Sequence, residues 1–171
     1  MGLDISYYSK IKISESNDDD DDNYIENHKY FIYQLGSLKN GQCYHETDES
    51  ESDSFHVGSC SGYGVWRKNL LEMLGYISMQ DVFNDFDTNI RKIKLDEINS
   101  GEKYVAKSFY EIIIFSDCEG VIGPEISKKL YEDFVEFDKV AISQGDYFYD
   151  IYSKFKEAFR VASDNGLVCF S

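Results

Sequence analysis

No stretch of this chain approaches the ~20 consecutive apolar residues that a membrane-spanning helix needs. Its apolar runs reach only four residues, as in Ile112-Ile113-Ile114-Phe115. No basic segment followed by an apolar one opens the chain, so no secretory leader is expected. Proline is nearly absent, at one residue, and tryptophan is represented once. The four cysteines, Cys43, Cys60, Cys118 and Cys169, form no C-x-x-C pair, which leaves a zinc knuckle unsupported. Without a leader these thiols are expected to stay free in a reducing cytoplasm. Cationic excess is absent too: 17 Lys and Arg face 32 acids, a net charge of −15. Such a balance disfavours direct binding to nucleic acid or an anionic membrane.

What the chain does have is aromatic side chains, 14 Tyr and 12 Phe, and enough length for one well-packed domain in its 171 residues. The acidity is local. Residues 14–27 hold seven acids, among them Asp18 to Asp22, and residues 46–54 hold Glu46, Asp48, Glu49, Glu51 and Asp53, all without a cation. Like-charge blocks hydrate and repel, so both segments are expected to be mobile inserts. Outside them 20 acids face the 17 bases, a net charge of −3. A calcium loop counted from Asp18 fails, because Asn23 replaces the required Gly and Lys29 the required Glu. Met1-Gly2 with Ser6 fits a myristoylation pattern, yet Leu3-Asp4-Ile5 reads better as the start of a strand.

Periodicity then gives the elements. Leu3, Ile5 and Tyr7 alternate, predicting a strand or hairpin arm over residues 2–13, and residues 28–35 read as a second strand. A helix over 65–75 would place Trp66, Leu70, Met73 and Leu74 on one face, with a weaker helix over 82–93. Residues 104–116, apolar on both faces, read as a central strand. Pro124 opens a helix carrying Ile126, Leu130, Phe134 and Phe137. A last helix over 146–163 faces Phe148, Ile151, Phe155, Phe159 and Ala162 inward, Asn165-Gly166 stops it, and residues 167–170 close as a strand. The expected class is α+β, a small mixed sheet with about four helices in a single domain.

Two glycine turns are the candidate site. In Gly58-Ser59-Cys60-Ser61-Gly62-Tyr63-Gly64-Val65-Trp66-Arg67, a strand end meets a helix start, where free N–H groups favour an anion. Ser59 and Ser61 would supply hydroxyls, Arg67 a forked donor, and Tyr63 and Trp66 rings for stacking. The pattern is neither a Walker loop nor G-x-G-x-x-G. In Phe115-Ser116-Asp117-Cys118-Glu119-Gly120, the carboxylates of Asp117 and Glu119 share a strand face. Together with Ser116 they could accept from ligand hydroxyls, hold Mg²⁺ through water, or serve as acid and base. No resident cofactor is otherwise expected. A cysteine nucleophile, with His56 as base to Cys60, and a metal site from Cys43, His45 and His56 are weaker alternatives.

These blocks, with Met1-Gly2-Leu3-Asp4-Ile5 and Asp164-Asn165-Gly166, resemble an uncharacterised family of small bacteriophage and prophage proteins. Cys60 departs from it, since an aromatic residue is expected there. The resemblance implies a phage-type protein working in the host cytoplasm. Three functions stay open on this reading. One is binding a small polar, nucleotide-like ligand against host immune signalling. Another is acting as an acidic inhibitor or DNA mimic on a host protein. The third is Mg²⁺-dependent hydrolysis through Asp117 and Glu119. A second copy of the chain is a further candidate partner.

Overall fold

The computed structural model describes residues 2–13, 34–36, 38, 44–74, 108–115 and 119–171. Strands β1 (Gly2–Tyr8), β2 (Lys12–Ile13), β3 (Gln34–Leu35), β4 (Tyr44–His45) and β5 (Ser52–Ser59) come first. Helices α1 (Cys60–Met73) and α2 (Tyr110–Ile114) follow, then β6 (Gly120–Ile122). Helices α3 (Pro124–Glu136), α4 (Asp138–Ile142) and α5 (Asp146–Ala162) precede the last strand, β7 (Leu167–Phe170). The class is α+β, as the order of patterns predicts.

The sheet runs β3-β6-β7-β1-β5, antiparallel throughout except for the parallel β3–β6 pair. Strand β1 lies between β5 and β7, and its alternation sets the two faces. Leu3, Ile5 and Tyr7 are buried toward the helices. Phe155 of α5 lies at the centre of that core, its ring 5.0 Å from Trp66, 5.2 Å from Phe55 and 5.8 Å from Tyr63. On the other face, Val121, Leu167 and Cys169 pack with Ile11 and Tyr44 beneath the small β2–β4 pair. Burial there pushes the Cys169 thiol up to about 12.

Helix α5 ends where the sequence says it should. Asn165 turns into the left-handed region at φ 49°, and Gly166 N–H closes on the Ala162 carbonyl at 3.0 Å. Gly166 then passes so close to β1 that a Cβ would sit 1.8 Å from the Tyr8 carbonyl oxygen.

Two expectations are corrected. Helix α1 starts at Cys60, five residues early, because Ser59 Oγ accepts from Gly62 N–H at 3.1 Å and caps it. Gly62 and Gly64 therefore lie inside the helix and not in a turn. The expected strand over 104–116 is a helix where it is described: Tyr110–Ile114 form α2. Glu111, Ile112, Ile113 and Phe115 are all buried, which leaves no period to separate strand from helix, and tertiary bonds decide. Residues 46–54, the second acidic segment, form a turn and the first part of β5. Residues 14–27, the helix over 82–93 and most of the strand over 28–35 lie outside the described residues.

Candidate functional site

Arg67 joins the two sequence blocks through backbone carbonyls. It is 7% exposed, and its Nη1 donates to the carbonyls of Phe115 at 2.9 Å and Ile113 at 3.3 Å. These are carbonyls at the C-terminal end of α2, where a cation complements the helix dipole. The guanidinium also lies 4.7 Å from the Tyr63 ring centroid. At the other end of α2, Asp133 Oδ2 accepts from Phe109 N–H at 2.7 Å, and Phe109 itself is left-handed at φ 57°. Lys129 bridges Asp133 at 2.7 Å and the fully buried Glu111 at 2.6 Å. Side chains from α1 and α3 thus hold both ends of α2, which overrides the strand preference of its Ile run.

Tyr63 and Trp66 are 0% and 1% exposed, so their rings present no face to solvent. They stack on each other at 6.0 Å, and Trp66 Nε1 donates to the Phe148 carbonyl at 3.2 Å. Ser59 and Ser61 remain exposed at the start of α1, their hydroxyls 3.0 Å apart. Glu119 is exposed just before β6, so it does not close the strand on which it was expected. Ser116, Asp117 and Cys118 lie outside the described residues, as does Cys43. The structure therefore brings Arg67 to Phe115 but draws Tyr63, Trp66 and Arg67 into the core, apart from the exposed serines.

The acidic segment presents a different surface. Ser9 N–H donates to the Glu51 carbonyl, and Glu51 N–H donates to Ser9 Oγ, both at 2.9 Å. Thr47 N–H closes the turn on Ser50 Oγ at 2.7 Å, and Ser52 Oγ donates to Glu46 at 3.0 Å. Asp48, Glu49, Glu51 and Asp53 are all exposed along this turn and the start of β5. Lys10 pairs with Glu49 at 3.4 Å, while Arg160 is shared between Glu51 at 2.8 Å and Glu157 at 2.7 Å. The bond to Arg160 holds the Glu157 carboxyl below the usual range. The surplus of negative charge is felt nearby: Tyr7 is pushed up to about 12, first by burial and then by Asp53, Glu157 and Glu51.

Sequence reasoning missed the role of β5, an outer strand of the sheet among the described residues. The alternation of Ser52, Ser54 and His56 with Asp53, Phe55 and Val57 is its signal. A bulge at Val57 sets two residues of β5 against Leu3, with Gly58 at φ 118°. Beside it His56 Nδ1 meets Asp4 Oδ1 at 2.8 Å on the open face, and a Cβ on Gly2 would fall 2.4 Å from the imidazole. No group of three or more His, Cys, Asp and Glu among the described residues is placed to hold a metal ion. No helix among them is long and apolar enough to cross a membrane. No protein-family model, curated protein or solved structure matches this chain.

Proposed function

We propose that this chain is a binding protein that docks onto a basic surface of a host protein. Its docking surface is the acidic edge made by residues 46–54. One observation carries the reading: Glu46, Asp48, Glu49, Glu51 and Asp53 sit on a hydrogen-bonded turn and an outer strand, not on a loose tail. Charges fixed in place form a pattern that a partner can match, steering encounter and setting register. The phage-type resemblance supplies the host as the source of the partner. The nucleotide-like ligand reading keeps only Ser59, Ser61 and Glu119 as exposed groups, since the described rings and the guanidinium are spent on the core. The hydrolase reading rests on Asp117, outside the described residues.

The test compares the wild-type chain with a variant carrying Glu46→Gln, Asp48→Asn, Glu49→Gln and Asp53→Asn. Glu51 is spared because it anchors Arg160. Captured from host extract at 50 mM and 300 mM salt, the partner is expected with the wild type at low salt and lost with the variant. Equal capture by both refutes the reading.

A further inference from the structure

Among the described residues strand β5 ends the sheet, and its backbone polarity can be followed through β1. Asp4 exchanges both backbone bonds with Ser171, at 2.8 and 3.0 Å, so in the antiparallel alternation Ser6 and Tyr8 also turn toward β7. Their partners across the other pair, Ser54 and Ser52, therefore turn N–H and C=O away from β1, to the outer edge. His56, opposite Asp4, does the same. Independent geometry agrees: Ser54 N–H bonds not to β1 but to Asp53 Oδ1 at 2.8 Å. Ser52, Asp53, Ser54 and His56 are all exposed.

We propose that the outer edge of β5 takes up an extended, cation-bearing segment of the partner protein as an additional antiparallel strand. This rests on the acidic docking reading and names the partner's chemistry. Main-chain bonds to Ser52, Ser54 and His56 supply the attachment. Alternate side chains of the incoming segment lie on the helix side, beside Phe55, then Asp53, then Glu51. The matching pattern is an apolar residue followed at two-residue spacing by two Lys or Arg. An exposed strand edge is a pairing hazard, and charge is how proteins restrict who pairs. Asp53 closes the Ser54 N–H until a cation draws its carboxylate away. A second copy of this chain is the poorer occupant, because each copy brings a net charge of −15 to the contact.

The probe is the peptide acetyl-Thr-Val-Thr-Lys-Thr-Lys-Thr-amide, compared with the same peptide N-methylated at its third and fifth residues. Amide exchange and NMR titration of the full chain are the readouts. The plain peptide is expected to protect the amides of Ser52, Ser54 and His56 and to bind at least tenfold more tightly than the methylated one. Ser54→Pro removes a donor that β1 does not use, so the fold should persist, by circular dichroism, while peptide affinity falls at least tenfold. Equal binding of both peptides, lost in Asp53→Asn, overturns strand addition and leaves docking by charge standing. Binding of neither peptide overturns the inference, as does a dimer of the chain in which those amides are already protected.

Discussion

Replacing Arg67 by Ala separates two roles for the same residue. If its guanidinium served a surface ligand, its loss would change stability by under ~0.5 kcal/mol. In the structure it is 7% exposed and donates to the carbonyls of Ile113 and Phe115. A hydrogen bond from a charged donor contributes about 1.5–3 kcal/mol, and the contact over Tyr63 adds about 1 kcal/mol. Against that, removing the residue relieves the cost of burying its charge. The net loss works out at about 3–4 kcal/mol. For a domain of this size that lowers Tm by roughly 10 °C. Arg67→Lys should fall between, since an ammonium cannot reproduce the planar fork. Calorimetry gives Tm directly, and Trp66, the sole tryptophan and stacked on Phe148 and Phe155, reports the same core by fluorescence. A shift below 2 °C, with loss of nucleotide-induced stabilisation, would refute the structural role and restore the ligand reading.

Asp133→Ala strands the Phe109 N–H and breaks the pair with Lys129, a cost of about 2–4 kcal/mol by urea unfolding, whereas Asp133→Asn keeps an acceptor and should cost about half. Gly166→Ala drives a methyl into the Tyr8 carbonyl, so β1 and β7 must part, with a loss of about 3 kcal/mol or more in the same assay. The raised Tyr7 pKa means that the unfolded chain ionises this phenol first. Its contribution to stability is therefore full below pH 10 and is lost as pH rises through about 12. Chemical denaturation of wild type and Tyr7→Phe across pH 9–12 should show a steeper alkaline decline in the wild type, and parallel curves would contradict the assignment.

Where the sequence carried a clean period, it was legible. The alternation of Leu3, Ile5 and Tyr7 gave β1, and the helical spacing of Phe148, Ile151, Phe155 and Phe159 gave α5 with the same buried face. Pro124 marked the start of α3 because its missing N–H costs nothing there. The Ile112 to Phe115 run was not legible. Ile112, Ile113 and Phe115 are all buried, so no polar face betrays a period, and the bonds from Arg67 to Ile113 and from Phe109 to Asp133 span 46 and 24 positions of the chain. The Gly58 to Gly64 segment misled for a related reason. Glycines suggest a turn, whereas the Ser59 cap lets a helix run through two of them. For the candidate site, residue types pointed to Arg67 and the aromatic pair, but type does not reveal burial. In the second acidic segment, charge gave no sign of the hydrogen bonds that Glu51 and Thr47 make to Ser9 and Lys10.

The proposed docking of the acidic edge onto a host protein can be tested by cross-linking. Zero-length carbodiimide coupling in host cells joins carboxylates only to lysines in contact with them. Glu46, Asp48, Glu49 and Asp53 are expected to couple to lysines of a single host protein, within a segment that alternates apolar and cationic residues. Couplings that spare these four acids and fall instead on Glu132, Glu136 or Asp150 of the helical face would contradict it.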